Sequence, residues 1–336
     1  MEHEAILWEP AGEGRVRCRV CRRRCVIPPG GRGFCRVREN RGGRLVALTY
    51  GRVAALHVAP IEVKPLFHFY PGTMWLSVGS LGCNFRCPGC QNWQIAHAEP
   101  GEAAREIEPG ELVELAVRHG CKGLSWTYNE PTVWLEYTID AGRKARERGL
   151  LANYVTNGFA TPEALEAVAP YLDAYRVDIK AFDTQTYRRL ANTDDLDGVL
   201  DSALRAKRLH GLHVECVTNV VPGYNDAPDQ LRALARWIST ELGPDTPWHV
   251  TRFIPHLDLS DVPATPVATL ERARSIGLAE GLRFVYLGNV PGHEGENTWC
   301  DGCGALLIER GRGVVKNRLR DGHCPECDRS IPGRWA

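Results

Sequence analysis

The feature that most constrains this chain is its cysteine usage: thirteen in 336 residues, eleven of them in three tight groups. Cys18, Cys21, Cys25 and Cys35 form the first group, Cys83, Cys87 and Cys90 the second, and Cys300, Cys303, Cys324 and Cys327 the third. The start, Met1-Glu2-His3-Glu4, has neither the basic nor the apolar region of an export signal, which predicts a cytoplasmic protein. In a reducing compartment, grouped thiols are metal ligands more often than disulfides. Groups of four, three and four predict two closed metal sites and one open one. Cys121 and Cys216 stand alone in apolar stretches and read as small core residues.

Charge excludes some partners. With 41 basic and 41 acidic side chains the formal net charge is zero, so no field of the whole protein gathers polyphosphate, and nucleic acid would need a local patch. No run of about 18 apolar residues predicts a membrane span. Short β-branched runs between Arg41 and Phe69 read as a small β-rich module. From there strand-like runs alternate with amphipathic helices. The strands are expected at Trp75 to Ser80, Leu124 to Thr127, Ala152 to Thr156, Tyr175 to Ile179, His213 to Thr218, Val250 to Ile254 and Arg283 to Leu287. Leu231, Leu234, Ala235, Ile238 and Leu242 share one helical face, and Thr161-Pro162 and Thr265-Pro266 each read as an N-cap before a first-turn proline. Repeated βα units predict a parallel α/β sheet, either a partial or complete barrel or a doubly wound sheet. The expected domains are an N-terminal cysteine-bearing, β-rich module (1–73), the α/β unit (74–291) and a C-terminal ribbon-like module (292–336).

The central group reads Gly82-Cys83-Asn84-Phe85-Arg86-Cys87-Pro88-Gly89-Cys90, directly after the first strand of the α/β unit. Three thiolates at this spacing can ligate three irons of a [4Fe-4S] cubane and leave the fourth without a protein ligand; the alternatives are a structural zinc with a distant fourth ligand and a simple electron-transfer cluster. This C-x3-C-x2-C loop resembles that of the radical S-adenosylmethionine (radical SAM) enzymes. The resemblance implies a partial (β/α) barrel in which SAM chelates the open iron. A reduced cluster then cleaves SAM to a 5'-deoxyadenosyl radical that abstracts hydrogen from a substrate. It also implies a reducing donor such as flavodoxin or ferredoxin.

Further segments extend the likeness. Thr127-Tyr128-Asn129-Glu130-Pro131 ends the second strand where the family binds the SAM amino group, with Asn129 and Glu130 as its residues here. Thr156-Asn157-Gly158 and Asp178-Ile179-Lys180 are similar to segments of the pyruvate formate-lyase activating enzymes. There the Lys holds the SAM carboxylate and the Thr and Asp help ligate a monovalent cation, roles that the resemblance carries to Lys180, Thr156 and Asp178. Asn219 and His256, at later strand ends, complete the expected cofactor-binding set. Two positions depart from that branch: Gly89 replaces an aromatic that packs on adenine, leaving Trp93 as an alternative platform, and Val155 replaces an acidic cation ligand. The strings at 83–88, 127–132, 247–249, 252–256 and 285–290 resemble more closely the AmmeMemoRadiSam system radical SAM enzymes.

The third group forms two C-x2-C knuckles, the spacing of a zinc ribbon, and predicts a structural zinc. Arg310, Arg312, Lys316, Arg318 and Arg320 between the knuckles read as a solvated face. The first group takes zinc or an Fe-S cluster, and the arginines around it (17, 19, 22, 23, 24, 32, 36 and 38) read as compensation for thiolate charge. The expected function is a radical SAM enzyme, an oxidoreductase or radical-generating modification enzyme, acting on a protein, RNA or metabolite. Activation of a glycyl radical enzyme is the alternative within the class, and a non-catalytic zinc/Fe-S scaffold the alternative outside it.

Overall fold

The computed structural model describes residues 3–311 and 313–335; Met1, Glu2, Arg312 and Ala336 lie outside the described residues. Besides short strands at His3–Glu4, Trp8–Pro10, Val16–Cys18, Val26–Ile27, Arg52–Val53 and Arg105–Glu106, the strands are β1 (Arg38–Arg41), β2 (Arg44–Ala47), β3 (Ala55–Pro60), β4 (Met74–Gly79), β5 (Gly123–Trp126), β6 (Leu151–Thr156), β7 (Ala174–Asp178), β8 (His213–Val220), β9 (Trp248–Arg252) and β10 (Val285–Gly288), then β11 (Thr298–Trp299), β12 (Leu306–Arg310) and β13 (Val314–Asn317). Besides a single turn at Trp93–Ala96, the α-helices are α1 (Pro109–Arg118), α2 (Leu135–Glu147), α3 (Pro162–Val168), α4 (Thr184–Ala191), α5 (Leu196–Arg208), α6 (Pro228–Trp237) and α7 (Val267–Ala279). The seven strands expected from sequence are β4 to β10, each within two residues of its expected bounds.

Two compact units divide the chain. The first comprises Met1–Ala59, Met74–Tyr175 and Asp197–Leu212. Its sheet runs β6-β5-β4-β3, with β4, β5 and β6 mutually parallel and in register from Trp75, Gly123 and Leu151. A parallel sheet covered by helices needs apolar residues on both faces, and every residue of β5 and all but Met74 of β4 are buried. Trp126, Trp134 and Tyr137 form the aromatic wall between β5 and α2, Trp134 stacking on Tyr137 at 4.3 Å. Helix α3 starts as expected: the Thr161 hydroxyl accepts from Ala164 N at 3.1 Å and Pro162 opens the first turn. β1 and β2 form an antiparallel hairpin in the N-terminal segment. Arg38 of β1 is buried and makes a bidentate pair with Glu136 of α2, at 2.9 and 2.7 Å.

The second unit comprises Pro60–Thr73, Arg176–Leu196 and His213–Ala336. Its parallel strands follow the order β10-β9-β8-β7. The apolar stripe of α6 and the turn after it is buried as expected, from Leu231 to Leu242. Thr265 departs from its expected role. Helix α7 begins at Val267, and the Thr265 hydroxyl instead accepts from Phe253 N at 2.8 Å and donates to Val220 O at 2.5 Å. It ties strand ends together because two backbone groups there outcompete the helix terminus for one hydroxyl.

Below these strand ends lies a buried polar cluster. The Glu215 carboxylate accepts from the amides of Phe67 and His68 and from Nε2 of His213 and His249, all at 2.7 to 3.0 Å. Arg310 is buried here too, donating to Thr298 Oγ1, Glu296 O and Phe67 O with its guanidinium 4.1 Å from the Phe67 ring centre. The expectation of a solvated face fails at Arg310, since these acceptors replace water. Lys316, Arg318 and Arg320 are outside this core. No helix among the described residues is long and apolar enough to cross a membrane.

Candidate radical SAM site and flanking metal sites

In the first unit the loop after β4 carries Cys83, Cys87 and Cys90, all half-buried. Asn129 builds this loop: its Oδ1 accepts from Ser80 N at 3.0 Å and its Nδ2 donates to Gly82 O at 2.8 Å. The expected cofactor-binding Asn129 thus spends its amide on the backbone before the first cysteine. Gly82 has φ +80°, and a Cβ there would stand 2.5 Å from Val37 and 2.7 Å from Cys35 O, so the N-terminal segment packs directly on this loop.

Glu130 and the end of β6 form the second part. Glu130 Oε1 accepts from Thr156 Oγ1 at 2.7 Å and Thr132 N at 3.0 Å, and its Oε2 from Asn157 N at 2.8 Å. Burial pushes the carboxyl above the usual carboxylate range, and these donors act against that rise. Asn157, which sequence reasoning noted only as part of its segment, closes the circuit: its Nδ2 donates to Asn84 Oδ1 at 2.7 Å. Burial and the nearby Glu130 charge raise the Cys83 thiol well above its ordinary value, a cost that metal coordination must overcome. Tyr128 between these groups has φ +74°, the left-handed region that a bulky residue rarely occupies, and its carbonyl accepts from Asn92 Nδ2 at 2.9 Å. Trp93 is exposed beside this loop.

In the second unit, Asp178 ends β7 and pairs with Lys180 Nζ at 3.2 Å and with Arg176. Burial alone would raise the Asp178 carboxyl, but these two cations carry it below its ordinary value. Asn219 is exposed near the end of β8 and donates to Thr251 Oγ1 at 3.1 Å. Asn225, absent from the sequence expectations, bonds Lys180 O at 2.6 Å and Asn219 O at 2.8 Å and accepts from Val221 N. His256 is half-buried at the start of the turn Leu257–Leu259.

The flanking groups differ in geometry. Cys300 and Cys327 sulfurs are 3.6 Å apart, as are those of Cys303 and Cys324. A tetrahedron of sulfurs about 2.3 Å from a zinc has edges of roughly 3.8 Å. Among the described residues these four are the only group of three or more such side chains whose ligating atoms all lie within 4.8 Å of one another, so the tail carries a cluster shaped for one metal ion. Cys18, Cys21, Cys25 and Cys35 line one small cavity with Arg23, Phe34, Arg38 and Val133. Seven of the eight arginines expected to offset these thiolates pair with carboxylates, Arg19 with Glu163 at 2.6 Å and Arg22 with Asp201 at 2.5 Å among them. Arg23 instead donates to Asn84 O at 3.0 Å. Cys121 and Cys216 are buried core residues as expected.

The three central thiols fit the cluster that their spacing implies. They share one loop, their sulfurs are not gathered within 4.8 Å as a single ion requires, and Asn84 Nδ2 beside Cys83 is a buried donor without a protein acceptor.

Residues 77–238 match the family model described as the radical SAM superfamily. The chain is 48% identical over 308 residues to the uncharacterized protein MJ0808 of Methanocaldococcus jannaschii, covering 91% of each. It is 30% identical over 165 residues to the isethionate sulfite-lyase activating enzyme of Nitratidesulfovibrio vulgaris, covering 48% of this chain and 52% of that one. Among solved structures, a radical SAM methyltransferase from Sphaerobacter thermophilus superposes with a TM-score of 0.52 at 17% identity over 71% of each chain. Streptococcus suis SuiB bound to S-adenosylmethionine superposes at 0.50 with 15% identity over 68% of this chain and 53% of that one. The fold is therefore α/β with the radical SAM type of partial barrel, a fold whose family implies a [4Fe-4S] cluster and SAM. Family match and shared fold agree with the cysteine loop, and the chain belongs to the radical SAM superfamily.

Proposed function

We propose that this enzyme reductively cleaves SAM at a [4Fe-4S] cluster held by Cys83, Cys87 and Cys90, and that its target is a molecule outside the chain. When bound, cluster and SAM supply one-electron cleavage of the sulfonium and a 5'-deoxyadenosyl radical that takes a hydrogen atom from substrate. The observation that carries this reading is the hydrogen-bonded circuit from Thr156 through Glu130 and Asn157 to Asn84, which fixes the cysteine loop against neighbouring parallel strand ends. In such a site the chain's work is to hold and orient.

Glu130 serves the SAM ammonium in this reading: its Oε2, with one donor shown, keeps acceptor capacity. Thr156 and Asp178 are assigned to a monovalent cation, Lys180 to the SAM carboxylate, and Asn219 and His256 to further cofactor contacts. Asn129 acts as a positioning residue through the loop backbone. Reduction is assigned to a flavodoxin or ferredoxin, and Cys300, Cys303, Cys324 and Cys327 to a structural zinc. Within the superfamily we place the chain with the AmmeMemoRadiSam system enzymes. Similarity to an activating enzyme over about half the chain supports a second reading, installation of a glycyl radical on a partner enzyme.

The test is anaerobic reconstitution followed by dithionite and SAM, with 5'-deoxyadenosine and methionine quantified. Deuterium transfer from cell fractions into 5'-deoxyadenosine then identifies the substrate. Label from a backbone glycine supports the activating reading, and label from any other position supports the first.

A further inference from the structure

We propose that Cys18, Cys21, Cys25 and Cys35 hold a second [4Fe-4S] cluster, seated against the loop of the first. This goes beyond the proposed SAM cleavage: the occupant of the N-terminal site is argued from that site's own thiols and cavity, and only its closeness to the first cluster rests on the proposed reading of the central loop.

The four thiols form one site. Every one of the six pairs among them lies within mutual electrostatic reach, and all four line the same cavity. Backbone amides also reach the sulfurs: those of Val20, Arg23 and Val37 at Cys18, Cys21 and Cys35, and Phe34 N at 3.5 Å from Cys25 Sγ. The donor set is complete, four cysteines with no open position.

The size of the site selects the occupant. No three of these sulfurs fall within 4.8 Å of one another, whereas all four C-terminal sulfurs do, so one chain presents two four-cysteine sites of different span. The wide one encloses a cavity of about 10 Å3, space for the centre of a water-sized sphere. Sulfurs drawn to about 2.3 Å from a zinc leave no such space. Around a cubane the iron atoms stand between sulfur and centre, so the thiolates lie roughly 4 Å from the middle and on the order of 6 Å from one another. The central Cys83, Cys87 and Cys90, whose cluster the family implies, share the wide pattern.

The two cysteine sites share neighbours. Two guanidinium groups lie by the Phe34 ring, Arg23 at 3.8 Å and Arg86 at 5.2 Å from its centre. Arg23 Nε donates to Asn84 O, while Arg86 donates to both Phe34 O at 3.2 Å and Cys83 O at 3.0 Å. Each arginine is within electrostatic reach of a thiol on both sides, Arg23 of Cys21 and Cys83, Arg86 of Cys35 and Cys83. Two cationic side chains thus partly offset the negative charge that two thiolate-bound clusters would bring together.

The experiment uses the full chain, reconstituted anaerobically with ferrous iron and sulfide, with iron, acid-labile sulfide and zinc counted. Wild type should hold about eight irons and eight sulfides, and Cys83→Ala/Cys87→Ala/Cys90→Ala should keep about four of each. The reduced triple variant should give an electron paramagnetic resonance signal that SAM does not alter, because four cysteines leave no open iron. In wild type the neighbouring reduced clusters should broaden one another's signals, and Cys18→Ser/Cys21→Ser should remove the broadening together with half the iron. A triple variant with no iron and a second zinc would overturn the proposal, as would unbroadened wild-type signals at full iron content.

Discussion

Thr156 Oγ1 donates to Glu130 Oε1 over 2.7 Å, so a hydroxyl at the end of β6 and a carboxylate just beyond β5 hold each other across neighbouring strands. The same carboxylate accepts two backbone amides, Thr132 N and Asn157 N. Replacing Glu130 by Gln puts an NH2 group against at least one of these donors. A buried amide left unpaired costs about 1–3 kcal/mol. The neutral amide also lacks the charge proposed to pair with the SAM ammonium, so Glu130→Gln should weaken SAM binding at least tenfold, by equilibrium dialysis of the reconstituted protein, while the central cluster keeps its iron. Unchanged SAM affinity would remove Glu130 from the site.

Arg38 and Glu136 form a pair of which only 2% and 3% of the side chains is exposed. Removing one partner leaves a buried charge alone, which costs about 3–5 kcal/mol, whereas replacing both by apolar groups is often neutral. Arg38→Ala should lower the urea midpoint of the metal-loaded protein sharply, and Arg38→Met/Glu136→Leu should recover most of the loss. A double variant as weak as the single one would show that the pair contributes more than its own charge balance.

The cluster around Glu215 predicts acid lability of the second unit. His68 is buried and neutral: Nδ1 donates to Pro332 O at 2.6 Å, and Nε2 is left to accept from the Tyr286 hydroxyl at 2.6 Å. Burial pushes its pKa down to about 3. The unfolded chain, with His near 6.5, binds the proton first, so stability is full above about pH 6.5 and falls as pH drops toward 3. Burial alone would raise Glu215, but His213 and His249 hold it well below the usual carboxylate range, which adds a further loss in acid. Urea midpoints should be flat from about pH 7 to 8 and decline below about 6, and His68→Gln should make that decline shallower. The same pH slope in wild type and variant would contradict this assignment.

Much of the scaffold was legible because its signals are local. Strand-like runs alternating with amphipathic helices marked β4 to β10, and the three cysteine groups announced themselves by spacing. The sequence reading missed groups whose partners are remote: Arg23 meets Asn84, Glu215 meets Phe67 and His68, and Arg310 meets Phe67 O. Thr265 was misread because a Thr-Pro pair is a cap signal only when no strand end competes for its hydroxyl. Zinc and cubane sites of four cysteines share a sequence pattern, and only the sulfur separations distinguish them.

The C-terminal site gives a separable prediction. Asp301, next to Cys300, is held by Arg283 at 2.6 Å and Arg329 at 2.6 Å, so the knuckle is fixed through charge as well as thiol. Cys324→Ala should lose about one zinc per chain and make the segment after Pro291 protease-sensitive, with central iron unchanged. Loss of iron and sulfide in this variant would mark the tail as a redox centre instead.

The most direct test of the central claim is single-turnover SAM cleavage under dithionite. The reconstituted chain should yield 5'-deoxyadenosine, and Cys83→Ala/Cys87→Ala/Cys90→Ala should yield none above background. Equal 5'-deoxyadenosine from both proteins would contradict the account.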